Sequence, residues 1–348
     1  MIRRRSPRAP LSGRRLAAGA ALLLAAAVAT GFACLVAGPS SPGARGWRFW
    51  EWALWTSPVW RIRAFRIGAA ATVGAALATA GLATQGLLRN PLAEPYLLGI
   101  SSGAGVGVLA GLAVSGSLPV PHWCTTSVAA LLGALAAAAV VYALAQRRGK
   151  IDPLVLILSG VIVNVFNGAL VLVLLQFVGR DQVLSFVGWA MGQIPEWLWF
   201  QPGLLAASAA VTAAGWAFVF LRGSALNVLA LGEEVAASSG VAVSRLRFET
   251  FIVVSLMTSA AVALAGPVGF VGLVVPHACR MMFGPDHRIL AVVSGLGGAI
   301  FLMAADAVSR QSHWWTASGE LPVGAVTALT GGPFFIYLLR RRLRGEEA

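Results

Sequence analysis

The sequence predicts an all-α polytopic membrane protein with about ten transmembrane helices, and three observations carry that prediction. Hydrophobic residues make up 58% of the chain and charged residues 11%, with mean hydropathy +0.79; soluble domains carry about 25% charged residues. Uncharged stretches recur at the length of roughly 20 apolar residues that a helix needs to cross a bilayer. Basic residues gather between alternate stretches, as a fixed sidedness in a membrane requires.

The first stretch is 16–38, preceded by six arginines. Its basic-then-apolar start imitates a secretory signal, but the apolar part exceeds the roughly 7 to 15 residues of such signals, so it reads as a retained first helix. A Trp-rich segment, 39–60, follows and suits the headgroup level. The second stretch is 67–88. Residues 95–146 carry no charge and are too long for one helix, so they divide near "SGSLPVPHW" (115–123), where Ser, Gly and two prolines stop a helix. The fifth and sixth stretches are 153–179 and 197–221. Residues 250–279 divide at Gly266 and Pro267, and 289–309 and 321–339 complete ten.

Charge sets the orientation. Six arginines before the first stretch and four after the last place both termini inside, which requires an even number of spans, and the inner segments then hold 19 of the 26 basic residues. Seven fall outside: Arg45, Arg48, Arg61, Arg63, Arg66, Arg180 and Arg310. The +13 net charge is therefore read as an orientation signal. It forms no single stripe of the kind that binds nucleic acid, and no nucleic-acid partner is expected. Cys34, Cys124 and Cys279 lack metal-type spacing and read as small packing residues.

Glycines at 99, 103, 107 and 111 keep one helix face bare, which lets a neighbour approach closely. Pro91, Pro95, Pro267, Pro276, Pro285 and Pro333 punctuate membrane-depth or boundary positions, and irregular backbone there must be buried in protein or line a cavity. The segments "NPLAEP" (90–95) and "AGPVGFVGLVVPH" (265–277) occupy corresponding places in the two halves, in the manner of an inverted repeat.

Acids within the spans are scarce, Asp306 being the one well inside, and this argues against a proton- or sodium-coupled carrier. No filter or ring of charge marks a channel. The chain has no G-x-x-x-x-G-K-[ST] loop, so ATP must be handled by a separate subunit. Between the sixth and seventh stretches lies a polar inner segment, 226–247, whose Leu226, Leu229, Val235 and Val241 give one apolar side. Gly232, Ser238, Ser239 and Gly240 place a turn between two short helices. This pair either docks on a cytosolic partner or rests on the membrane. Asn164 and Asn167 share a helix face and either line a path or hydrogen-bond between helices.

Four ordered blocks carry a resemblance: "ALATAGLATQGLLRNPLAEPYLLGISSGAGVG" (76–107), "LNVLALGEEVAASSGVAVSRLR" (226–247), "AGPVGFVGLVVPHACRMMFGPDHR" (265–288) and "ELPVGAVTALTGGPFFIYLL" (320–339). From about Arg61 onward the chain resembles the permease subunits of ABC importers for iron-siderophores, haem and cobalamin. The resemblance implies the type II importer permease fold, a single transmembrane domain over 1–348, and an inner-membrane location. It also implies a second permease copy, an extracellular or periplasmic binding protein and ABC ATPase subunits. ATP and Mg are expected on the ATPase, with no cofactor, metal or catalytic residue in this chain.

The same resemblance makes 226–247 the coupling helices, with Leu231, Gly232, Glu233, Glu234 and Arg245 at the ATPase contact and Gly240 allowing the turn. The family's "RLPR" block corresponds to "RAFR" here, keeping Arg63 and Arg66 but placing Phe65 where proline is usual. With Arg310, these would dock the binding protein. Asn90 and Leu92 match the gate region, although capping before Pro91 explains Asn90 as well. His277 and His287 fall in matched blocks and read as structural; His122 and His313 read as outer-loop residues. The tryptophans of "WAMGQIPEWLWF" (189–200) suit interfacial anchoring as well as an aromatic ligand, so the cargo is not legible.

Overall fold

Burial sorts the helices of this protein into a core and a membrane-facing ring. The computed structural model describes residues 13–36, 59–115, 122–147, 150–195, 198, 200–312 and 320–343. Among them are twelve α-helices: α1 Gly13–Val36, α2 Val59–Leu88, α3 Ile100–Ser115, α4 His122–Ala145, α5 Pro153–Leu174, α6 Arg180–Ala190, α7 Pro202–Ala230, α8 Glu233–Ser238, α9 Val243–Ala265, α10 Val271–Phe283, α11 His287–Gln311 and α12 Val323–Leu343. A 3-10 turn, Pro95–Leu98, precedes α3, and a hairpin of β1 Gln146–Arg147 and β2 Lys150–Ile151 joins α4 to α5. Against the expectation of about ten spans, seven helices among the described residues are long and apolar enough to cross a membrane, while α3, α10 and α12 are apolar but shorter.

The membrane-length segments of α2, α9 and α11 are 72%, 72% and 61% buried, against 22% for α5 and α7 and 6% for α1. The first three therefore form the centre. Large side chains such as Leu77, Leu82, Phe251, Met257 and Leu302 fill it, among many alanines. In lipid the hydrophobic effect gives helices no reason to associate, so cohesion rests on close packing of small residues and on interhelical hydrogen bonds. The α3–α4 pair shows how. A Cβ on Gly107 would strike the carbonyl of Ala129, and one on Gly133 would meet the backbone at Gly103 and Gly107. Gly103, Gly107 and Gly111 all face α4, as their spacing predicts. Gly99 does something different: at φ 77° it ends the 3-10 turn in a conformation that disfavours a side chain.

Local signals start and stop the helices. Asp152 caps α5 by accepting from the Leu154 and Val155 N–H groups, with Pro153 at the first position. Asp286 caps α11 through Arg288 N–H. Gly266 and Gly284, at φ 67° and 92°, end α9 and α10. Pro276 and Pro333 lie within α10 and α12, whereas Pro91, Pro95, Pro267 and Pro285 lie in the breaks between helices.

Three expectations need correction. The sixth stretch was expected to end at 221, but α7 continues to Ala230: Arg222 pairs with Glu249 of α9 at 2.8 Å, and Leu226 and Leu229 pack at 0% exposure in the bundle, so tertiary packing carries the helix through Gly223 and Asn227. Residues 180–190, expected to be loop, form α6, whose start is closed by Gln182 accepting from Gly179 N–H at 2.8 Å. The segment 226–247 is not a pair of separate short helices. Its first part is the end of α7, its last part is the start of α9, and α8 alone stands free. Leu226 and Leu229 are accordingly buried in the bundle and do not share a side with exposed Val235.

Candidate functional site

Polar contacts gather at the two ends of the bundle, and the end that bears α8 is the richer. α8 is a six-residue helix between Gly232, at φ 135°, and Gly240, at φ 82°. Both glycines adopt conformations that side chains rarely take, and together they fold the chain from α7 across to α9. Leu231 is 73% exposed and Val235 44%, with Glu234 exposed between them. Only Ala236 of α8 is buried.

The charges of this segment have divided roles. Glu233 Oε2 accepts from Arg247 Nη2 at 2.9 Å. Arg247 is buried, and its Nη1 also donates to the carbonyl of Ile151 at 3.2 Å. Arg245, expected at the partner contact, instead pairs with Glu249 one turn along α9 at 2.7 Å, although its side chain stays largely exposed. Glu233 is thus half exposed but held by Arg247, and Glu234 beside it is exposed on the same short helix. Close by, Asn227 Oδ1 accepts from the backbone N–H of His287 at 2.8 Å and lies 2.7 Å from its Nδ1, tying α7 to the start of α11. Arg280 Nη1 donates to Gln85 Oε1 at 3.0 Å, and Gln85 Nε2 donates to Gly272 O at 3.3 Å. These bonds explain the structural reading of His287.

At the opposite end, Arg63, Arg66 and Arg310 are buried in this chain, at 5% to 6% exposure. In this chain, then, the three expected docking arginines are turned inward to partners of their own. Arg63 Nη1 donates to Leu35 O at 3.0 Å and Arg310 Nη2 to Cys34 O at 3.3 Å. Both guanidiniums therefore satisfy carbonyls in the last turn of α1, where the helix dipole also favours cations. Arg66 binds Asp306 Oδ1 at 2.9 Å and Glu320 Oε2 at 2.7 Å. Arg310 Nε lies 3.2 Å from the second Asp306 oxygen, a charge contact without hydrogen-bond geometry. Helix-end carbonyls and a buried acid offer these arginines partners that a linear reading of charge does not reveal.

The expected gate residues separate into two roles. Asn90 Oδ1 accepts from Leu92 N–H at 3.0 Å, so its side chain holds the turn that starts the break. Leu92 faces a narrow crevice with Pro91, Leu273, Val274, His277, Phe334 and Phe335, between α10 and α12. Asn164 Nδ2 donates to Tyr96 O at 3.3 Å and Asn167 Nδ2 to Ser102 Oγ at 3.0 Å, so both amides bind α5 to the turn and helix beside it. Between hydrogen bonding across helices and lining a path, these contacts favour the first.

Sequence reasoning missed how the broken segments meet. Glu94 Oε1 accepts from Phe270 N–H at 2.8 Å, and Tyr96 Oη accepts from Val268 N–H at 3.0 Å. Gln193 N–H donates to Ala265 O at 2.8 Å, and Gly324 N–H to Gly192 O at 3.1 Å. Segments 90–98, 191–195 and 265–270 and the start of α12 thus satisfy one another's backbone groups, which apolar surroundings would otherwise penalise. The signal was present in the sequence: Glu94 is a lone acid between two prolines at the edge of a charge-free run. Among the described residues no three metal-capable side chains converge. The tryptophans at 47, 50, 52 and 55, the side chain of His122, and His313 lie outside the description.

Comparison with known proteins agrees with this architecture. A solved structure described as an inward-facing conformation of a metal-chelate type ABC transporter aligns with a TM-score of 0.79 at 26% identity, covering 94% of this chain and 99% of its own. The cobalamin import system permease protein BtuC of Halobacterium salinarum is 43% identical over 254 residues, which span 73% of this chain and 65% of that relative's length. The hemin transport system permease protein HmuU of Yersinia pestis is 39% identical over 256 residues, 73% of this chain and 74% of its own. A model described as the FecCD transport family matches residues 51–341. With that match over most of its length and a bundle of apolar helices to carry it, the chain belongs to the FecCD transport family and is a polytopic membrane permease.

Proposed function

We propose that this permease is the membrane subunit of an ATP-driven importer for a bulky chelate of the iron-siderophore, haem or cobalamin kind, lying in the cytoplasmic membrane with α8 on the cytoplasmic side. The observation that carries the reading is α8 itself: a short helix between two positive-φ glycines that shows Leu231, Glu234 and Val235 to the outside while Glu233 is held from behind by buried Arg247. An apolar pair with one acid between them, on an anchored base, suits insertion into a groove of a separate ATPase subunit. ATP and Mg would act there. The basic residues of this end, Arg222, Arg245 and Arg288 among them, agree with a cytoplasmic placement.

Cargo would arrive from a binding protein at the opposite end, where Arg63, Arg66 and Arg310 shape the surface from beneath. Leu92 and the crevice between α10 and α12 would form the closing point at the inner half. α5 and α12 turn apolar side chains outward, Ile162, Val165 and Phe166 on one and Leu329 and Ile336 on the other, and these faces suit a second permease copy as well as lipid.

The test is co-purification of the tagged chain from its native membrane, with identification of the accompanying proteins and of any bound pigment by absorbance. An ATPase subunit in the eluate of the native chain, reduced about tenfold or more by Glu234→Arg while the permease still inserts, is the expected result. Recovery of the chain without an ATPase, under conditions that hold related complexes together, would instead favour a carrier working without one.

A further inference from the structure

We infer that Arg247 is the positioning residue that passes displacement of α8 to the base of α5, a role that rests on α8 being the surface moved by the ATPase. Three elements meet at this one guanidinium. Arg247 belongs to the first turns of α9 and is 4% exposed; its Nη2 holds Glu233 of α8 at 2.9 Å, and its Nη1 holds the Ile151 carbonyl of β2 at 3.2 Å. Ile151 is itself buried, is paired with Gln146 across the hairpin, and immediately precedes Asp152, whose carboxylate caps α5. The bound carbonyl is therefore one residue from the point that fixes where α5 begins.

The arrangement has the character of a transmission. At this end α9 packs on the strand 150–151, and that strand runs directly into the base of α5. A planar guanidinium with donors in a rigid fork can hold two acceptors on different elements at a fixed angle, which an ammonium on a flexible stem cannot do. The energetics point the same way. A buried cation is costly, and its counter-charge, Glu233, is half exposed, so the pair is a poor device for stability alone. Arg245, two residues earlier, pairs i,i+4 with Glu249 of its own helix, and it is Glu249 that reaches Arg222 of α7. Glu233 is at once the first residue of α8 and the grip of Arg247 upon it. A shift of α8 therefore changes the pull on Ile151, and with it the seat of α5, the helix that carries the outward apolar face.

The experiment is hydrogen exchange followed by mass spectrometry on the complex co-purified with its ATPase, with and without ADP and vanadate. In the native chain, trapping should alter exchange both in 233–240 and in 150–158. In Arg247→Gln the response in 233–240 should persist while that in 150–158 falls by about threefold or more. Arg247→Lys, which keeps the charge but loses the fork, should show the same split, and it decides the matter if the Gln variant does not assemble. An undiminished response in 150–158 in the Lys variant overturns the inference. No response in 233–240 of the native chain, or no ATPase in the complex, instead overturns the functional reading on which it rests.

Discussion

Asp306 shows how one buried residue can matter more than the arginines around it. It is 1% exposed and holds both Arg66 and Arg310, whereas Glu320, the other acid paired with Arg66, has a 38% exposed side chain. Removing a shared buried partner leaves cations short of charge in a low-dielectric setting, at a cost of about 3 to 5 kcal/mol. Asp306→Asn should accordingly lower the thermal unfolding midpoint in detergent well below that of Glu320→Gln, whose loss is about 1 kcal/mol or less because water already screens it. Equal midpoints for the two variants would show that Asp306 is not the centre of this cluster. The sequence showed Asp306 as the acid well within a span and put the three arginines on the outer side, but that they meet was not legible. A basic residue near a helix end reads as outward-facing until the fold shows which carbonyls and acids lie behind it. For Arg63 and Arg310 these are the last carbonyls of α1, from the other end of the sequence.

At the scale of elements, what the sequence announced best was helix packing by small residues. Spacing alone identified the bare face of α3, since a four-residue repeat of glycine has no use in a helix other than close approach. Gly107→Leu should therefore force α3 from α4 and destabilise the protein by about 1 to 3 kcal/mol, or prevent its recovery as a monodisperse species. Gly203, in the first turn of α7 with open space around it, is the control: Gly203→Ala should be neutral or stabilising by up to about 1 kcal/mol. Comparable losses in both variants, measured by thermal unfolding, would remove the packing argument. Helix ends were harder to read. Arg222 looked like the end of a span, yet α7 runs on to Ala230 with Leu226 and Leu229 buried in the bundle, and that extension changes 226–247 from two free helices to one. The two-residue strands 146–147 and 150–151 gave no periodic signal at all, being too short to show one.

Across the whole molecule, the two halves are joined where their helices break. The likeness of "NPLAEP" to "AGPVGFVGLVVPH" was visible as matching punctuation in corresponding places, and the structure brings the two segments into direct contact. Glu94 of the first accepts from the Phe270 N–H of the second, at a position where Phe270 itself has φ 69°. Glu94→Ala would leave that N–H without its acceptor, costing about 1 to 3 kcal/mol, while Glu94→Gln retains an oxygen in the same place. The Ala variant should lose thermal stability and the Gln variant should keep most of it. Loss of the same size in both would mean that the negative charge, and not the hydrogen bond, joins the halves. Membrane class and helix order were readable because they depend on composition and on local period. This junction was not, because it depends on residues that meet only after the chain has closed on itself.

That junction bears on how the chain is made. Glu94 and Phe270 are 176 residues apart, and Tyr96 and Val268 are 172 apart. A ribosome delivers the first pair of groups long before it delivers the second, so the early helices must wait in the bilayer with polar groups still unmatched. The first half is consequently a provisional structure during synthesis, completed only when residues past 270 arrive. Any agent that shields the 90–98 segment in the meantime would assist the birth of this permease more than one that acts on its finished form.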